Sequence, residues 1–582
     1  MPPRRKYYLI SSSKKSIFTI DERYLSVALD IGQIAEPTRF WNPDGSGETT
    51  TRPTFDFDRK RLVNLTSALA PAYLRIGGTE ADRCFYALNV HNDKTPPPSP
   101  PYKSVLTAAH MDSAVAFAKR CGFELCLTLN AGRGARPNLS NDDATWDSTQ
   151  ARELMRRYGR SGSISVFELG NEPNAYPLFH QNLTIQPEQY AADLAECIKV
   201  RDECAPNAKI AGPATAFWPT LGEVPALGWP KGAWRPTMVS NFLRRSLRAA
   251  IAMNAQPDIV TYHYYPGLSD RAGLCRQRPA ASVAVAPAAI AAVAAVYAAA
   301  TGGCGDAWTT RLAALVASLA FAVIAGLCYL IRFAVRPLSD PRSLQRVYVL
   351  DTVLKWAEHV RTSIREETRG SAVEEQPQGG GRRHRRRNSN PPPKPPPALW
   401  LGETGSAQVG GQPGVSGRWA STLWWLDQLG LLAARGHAVQ VRQTLCGADY
   451  GLLDEATLSP TPEYWVSVLW KRLMGCDVYE VTCEPKPPPT LRLYCHGIQN
   501  EDYRTYLIIN LDENEVELDF GMSPTVWIVQ GESLASQTLT INGKTPLATK
   551  DGKLPSLLPR SNLFGPVLVP AGAAAFVEVE MA

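Results

Sequence analysis

Short apolar runs alternate with longer amphipathic stretches over the first three quarters of the chain. The runs 24–31 (YLSVALDI), 72–78 (AYLRIGG), 123–131 (FELCLTLNA), 164–172 (ISVFELGNE), 208–214 (AKIAGPA), 257–266 (PDIVTYHYYP), 398–405 (ALWLGETG) and 438–445 (AVQVRQTL) read as buried strands. Between several of them, stretches such as 111–122 (MDSAVAFAKRCG) and 187–205 (PEQYAADLAECIKVRDECA) carry apolar residues at helical spacing. Eight buried strands with intervening helices predict an α/β fold, a (β/α)8 TIM barrel over 22–476. After 476 the texture becomes short strands and turns (LRLYCHGI, RTYLIINLD, EVELDF, TVWIVQGE, SLASQTLTING, AAAFVEVEM), which predicts a C-terminal β-sandwich over 477–582. The N-terminal segment 1–21 is a candidate to pair with that sandwich.

Two stretches break the alternation. Residues 268–337 form a hydrophobic insertion, and 312–331 (LAALVASLAFAVIAGLCYLI) is an uncharged run flanked by Arg311 and Arg332, long enough for a membrane span. Residues 368–397 are rich in Gly, Arg and Pro and are expected to be disordered. Both lie between the sixth and seventh strands, so a true span would oblige two halves of one barrel to meet across a bilayer or fold back from it. A surface insertion or a mis-spliced segment is the alternative, and LSD at 268–270 recurring at 338–340 fits an interruption of one original loop.

Composition adds constraints. The 582 residues, 44% hydrophobic and 20% charged, suffice for one large core and a smaller one. Part of the +6 net charge sits in one run, 381–388 (GRRHRRRN), so the folded remainder is nearly neutral and no nucleic-acid partner is expected. The 12 cysteines show no CxxC spacing and the 8 histidines no ligand spacing, so no metal and no organic cofactor is expected. The basic N-terminus lacks the apolar core of a secretory signal. Sequons at Asn64, Asn138 and Asn182 suit a glycoprotein but also arise by chance.

The candidate chemistry lies at two strand ends. In such a barrel, catalytic groups gather at the C-terminal ends of the strands. Glu172 ends ISVFELGNE and Glu403 ends LWLGETG. An isolated strand-end glutamate is usually a cap or an ion-pair partner. Two facing one cleft are the machinery of glycoside hydrolysis, one neutral to protonate the leaving oxygen and one ionised to attack or to activate water. A bell-shaped rate profile on the acidic side of neutrality is the expected consequence.

ELGNEPN and LWLGETG, in that order, resemble the acid/base and nucleophile motifs of the heparanase family, retaining endo-β-glucuronidases of glycoside hydrolase clan A. The likeness extends through YLSVALDIG, APAYLRIGGTEAD, LTLNAGRGA, VTYHYYP and WWLDQLGLLAARGHAVQVRQTLCGADYGLLDE, and covers most of 22–582 outside the insertions. It implies that Glu172 is the general acid and then base, and Glu403 the nucleophile. It implies that Asn171 bonds the sugar 2-hydroxyl, that His263 and Tyr265 orient the nucleophile, and that Asp30 and Thr79 hold other hydroxyls. Gln443, Tyr450 and the backbone of Gly410 and Gly411 would grip the uronate. For Asp30 a cap, for Tyr264 a core aromatic and for the glycines a plain turn are equally ordinary readings.

The chain departs from the animal pattern at Leu178, where a basic residue is usual, and at Gln408, where a tyrosine follows the nucleophile motif. Fewer basic groups weaken any claim to highly sulfated heparan sulfate. Only NVHNDKTPPPSPPY stands where the proenzyme's excised region would be, which predicts a single chain, acting as a monomer, without proteolytic activation. The resemblance implies a glucuronic-acid-containing polysaccharide or proteoglycan as substrate and a secreted, lysosome-like or membrane-associated location. Another retaining glycosidase of the clan, or an inactive glycan-binding relative, remains open.

Overall fold

The computed structural model describes residues 6–35, 55–89, 99–139, 145–180, 183–217, 241–267, 269–272, 340–373, 394–498, 502–561 and 565–581. Eight parallel strands close into a barrel: β1 (Leu25–Asp30), β2 (Ala72–Gly77), β3 (Phe123–Leu129), β4 (Val166–Leu169), β5 (Lys209–Phe217), β6 (Ile259–Tyr264), β7 (Ala398–Thr404) and β8 (Val439–Arg442). Each pairs with its neighbours in sequence, and β8 pairs with β1 to complete the ring. All eight predicted strands are present within a few residues of their expected limits. They are legible because a barrel strand is covered inside by side chains and outside by helices, so its sequence is apolar throughout.

The helix Ala108–Cys121 illustrates how local sequence sets an element. At its start the Thr107 hydroxyl accepts from the His110 N–H at 3.3 Å, and at its end Gly122 takes the left-handed conformation (φ 74°) that halts the helix. The helix Trp419–Ala433 (WASTLWWLDQLGLLA) is buried over its whole length, as a segment apolar on every side must be. It lies between the barrel and the C-terminal sheets. The Trp419 Nε1 donates to Gly572 O at 2.8 Å, and the Tyr494 hydroxyl donates to Asp427 Oδ1 at 2.6 Å.

Two sheets form the second domain. The larger has seven strands and includes Leu491–Gly497, Tyr503–Asn510, Thr525–Gln530 and Ala573–Glu580. The smaller has four, and Lys6–Ser12 sits inside it, antiparallel to Val481–Glu484 and parallel to Val516–Asp519. Between them pack Tyr8, Ile10, Ile508, Leu518, Val567 and Val577.

The stretch expected to be disordered begins inside a helix, Thr352–Val373, whose apolar face packs Trp356, Val360 and Ile364 into the core. Its far end is also placed, for Lys394 pairs with Asp258 at 2.9 Å; 374–393 lie outside the described residues. Residues 269–272, at the start of the hydrophobic insertion, belong to the barrel mouth, where Asp270 and Gln412 exchange hydrogen bonds of 2.9 and 2.8 Å. The run 312–331 lies outside the described residues, and among those described no helix is long and apolar enough to cross a membrane. At the sequon Asn64 the side-chain amide donates to Asp551 O at 2.8 Å.

Candidate active site

A fully buried arginine organises the mouth of the barrel. Arg75 points inward from β2 and is 1% exposed. Its Nε donates to Glu168 Oε2 at 2.8 Å, its Nη1 to Glu403 Oε2 at 2.8 Å and its Nη2 to Asn171 Oδ1 at 2.9 Å. One rigid guanidinium thus fixes a residue inside β4, one just beyond it and one on β7, using the fork geometry a lysine lacks. Burial works to raise the Glu168 carboxyl, but Arg75, His263 and the Thr128 hydroxyl outweigh it and hold it below the usual range.

Glu403 accepts on both oxygens, since the Tyr265 hydroxyl donates to Oε1 at 2.7 Å. Burial, and then the Glu403 charge, push the Tyr265 phenol well above its ordinary value, so it remains a donor. A register shift between Tyr262 and His263 sets His263 opposite Glu403, with Gly402 as the extra residue on β7. A side chain at Gly402 would press within 3.2 Å of Thr261 and 3.4 Å of Glu168, so glycine permits the shift.

Glu172 follows β4 in the left-handed conformation (φ 56°, ψ 51°), directly before Pro173. Its N–H donates to Ala214 O at 3.0 Å. The His263 ring stands between the two glutamates, with Nδ1 3.1 Å from Glu172 Oε1 and 3.9 Å from Glu403 Oε2. One oxygen of each glutamate and a ring nitrogen of His263 all lie within 4.8 Å of one another. By distance this trio could ligate a cation. The Arg75 guanidinium, bonded to Glu403 and 3.4 Å from His263 Nε2, already supplies a positive charge there.

The other expected residues surround this network. Tyr450 lies against Tyr265, ring centroids 6.4 Å apart, and burial followed by the Glu403 charge raises its phenol. Gly405 brings Tyr265, Tyr450 and the Gln443 backbone within 3.2 Å of one point, and Gln443 Oε1 is buried without a partner among the described residues. Burial, with Glu80 and Glu403 nearby, pushes the Asp30 carboxyl up to about 7 against the Gly32 N–H that it accepts. Gly78 (φ 90°) must be glycine, because a Cβ would stand 2.6 Å from Asp30 Oδ2, and Thr79 follows it half-buried. Gly410 and Gly411 (φ 79° and 95°) fold their loop onto Tyr450, whose N would lie 3.0 Å from a Cβ at 411. Thr79, Gly410 and Gly411 stand outside the bonded network around Arg75. Gln408 is 5% exposed and its side-chain amide is buried without a partner among the described residues. The Leu178 side chain lies outside what the structure describes.

Arg75, Glu168 and Asp82 were not among the expected site residues. For Arg75 and Glu168 a signal was present: a charge inside an otherwise apolar strand, Arg in AYLRIGG and Glu in SVFELG, calls for a buried partner of opposite sign, whereas Asp82 in its polar turn carries none.

The family model described as "Glycosyl hydrolase family 79, N-terminal domain" matches residues 8–218. Mouse (Mus musculus) heparanase is 24% identical over 97% of this chain and 89% of its own length. Baicalin-β-D-glucuronidase of Scutellaria baicalensis is 31% identical over 28% of this chain, and that match spans 32% of the relative. Among solved structures, the 4-O-α-L-rhamnosyl-β-D-glucuronidase of Fusarium oxysporum 12S superposes with a TM-score of 0.59 at 14% identity, over 98% of this chain and all of that one, and shares the fold.

Proposed function

Because the chain belongs to the heparanase family of glycoside hydrolases, we propose that it is a retaining hydrolase of β-glucuronide linkages in glucuronic-acid-containing glycans, heparan sulfate or related proteoglycan chains among them. The observation that carries the retaining part is the approach of Glu172 and Glu403 oxygens within 4.8 Å. Retention needs carboxyls about 5–5.5 Å apart, whereas inversion leaves about 6.5–9.5 Å for a water. The name of the Scutellaria relative, a β-D-glucuronidase, supports the glucuronide part.

In this reading Glu403, oriented by Arg75 and Tyr265, forms a bond to the anomeric carbon. The carbon–oxygen bond to the aglycone breaks, its electron pair stays on the leaving oxygen, and that oxygen takes the Glu172 proton. Glu172, now a carboxylate, then removes a proton from water. The water oxygen bonds the anomeric carbon as the ester to Glu403 breaks, which regenerates both groups.

The test is a panel of aryl β-glycosides with the anomer released first read by proton NMR. Turnover of the glucuronide with β-product first is expected, and Glu403→Ala should abolish it. First release of the α-anomer overturns retention. Turnover of the glucoside, xyloside or galactoside but not the glucuronide overturns the substrate. Parent and Glu403→Ala protein equally inactive on the whole panel would leave no enzyme to explain.

A further inference from the structure

We propose that Asp82 is a positioning residue for the acid/base glutamate, acting by bracing the loops that follow β2, β3 and β4; this rests on the role given to Glu172 above. Asp82 lies in the short turn after β2 and is 1% exposed. Its Oδ1 accepts from the Ala131 N–H at 2.8 Å, on the loop after β3, and its Oδ2 accepts from the Asn171 N–H at 2.9 Å, on the loop after β4. One carboxyl group thus ties its own turn to the backbones of the two neighbouring barrel loops.

The tie matters because of the conformation it holds. Gly170 (φ 71°) and Glu172 (φ 56°) are both left-handed, and a residue other than glycine is strained there unless its surroundings fix it. Asn171 stands between them, and its N–H is the group Asp82 receives. The packing is close: a Cβ on Gly170 would lie 2.6 Å from the Tyr176 hydroxyl, and one on Gly132 would lie 2.2 Å from Asp82 O. Among the described residues, the charged and titratable groups around Asp82 include Arg136, Tyr86, Tyr176, Tyr190 and His180, the last 4.0 Å away and held neutral down to about 3 by burial and by Arg83 and Lys103. None of them contacts Glu403, so the brace acts on the acid side of the site.

Without Asp82 the Asn171 amide loses its acceptor, the left-handed turn relaxes, and Glu172 swings from the glycosidic oxygen. A displacement near 1 Å is enough for a loss of about 100-fold. The loss depends on the leaving group, because an aglycone that departs as a stable anion needs no proton. In Asp82→Ala, kcat/KM for a 4-methylumbelliferyl glycoside is expected to fall about 100-fold, and that for the 2,4-dinitrophenyl glycoside less than about 10-fold. Sodium acetate should not restore the first. Asp82→Asn keeps one acceptor but turns an NH2 toward the other amide, and should show the same selectivity at smaller size.

Equal losses on both substrates, in the better folded of the two variants, overturn the proposal and leave Asp82 a fold residue. The glycoside used is whichever the parent hydrolyses, so failure on glucuronides alone counts against the substrate and not against the brace. A crystal structure of Asp82→Asn gives a readout free of turnover: the Glu172 carboxylate displaced from His263 supports the brace, and an unmoved Glu172 overturns it.

Discussion

At the scale of single residues, Arg75 decides more of the site than either glutamate. Among the described residues it is the only donor that bonds Glu168, Glu403 and Asn171 together, and all four groups are buried. An ammonium on a flexible stem presents a point charge and does not reach three acceptors from one place. Arg75→Lys should therefore fold with modest loss while kcat/KM falls about 100-fold or more, since Glu403 loses its fixed aim. Arg75→Ala leaves two buried carboxylates without their cation and should cost about 3–5 kcal/mol of stability, read from urea midpoints. Parental kcat/KM in Arg75→Lys would mean that charge alone, and not the fork, sets the position of Glu403.

At the scale of elements, what the sequence revealed depended on whether an element's own residues or its partner determine it. The eight barrel strands and the long sandwich strands are apolar or alternating over enough residues to declare themselves. Val567–Val569 and Phe18–Thr19 are three and two residues long and exist as strands because Val516–Asp519 and Asp477–Tyr479 pair with them. The site divided in the same way. Glu172 and Glu403 were legible from motifs that end strands, whereas Asp82 lies in a polar turn and gains its meaning from amides 49 and 89 positions away. The helix Trp419–Ala433 offers an element-scale test at Gly430. Alanine favours a helix over glycine by about 1 kcal/mol. Here its methyl would stand 2.3 Å from the Tyr494 ring, which Asp427 anchors through the hydroxyl. Overpacking of about 1–3 kcal/mol should win, so Gly430→Ala is expected to lower the unfolding midpoint. A raised midpoint would show that the barrel and the sheets can move apart to admit a methyl.

At the scale of the whole molecule, buried titratable groups of opposite sense shape the dependence of stability on pH. Burial holds His180 and His437 down to about 3 and His496 to about 4, so the unfolded chain takes up protons there that the fold refuses, and stability rises with pH up to about 6.5. Asp30 and Asp82 act the other way. Burial pushes both up to about 7, so between about 4 and 7 the fold keeps a proton that the unfolded chain has released, and their contribution is present below that window and lost across it. The two sets oppose each other over the range they share. Asp30→Asn removes one member of the falling set. Its stability relative to the parent should therefore climb as pH rises from about 4 to 7, by on the order of 1–3 kcal/mol, and level off above. Paired chemical denaturation at half-unit steps measures this difference directly. A difference that stayed constant across the window would show that Asp30 is ionised in the fold at every pH, with Gly32 and Arg75 outweighing its burial.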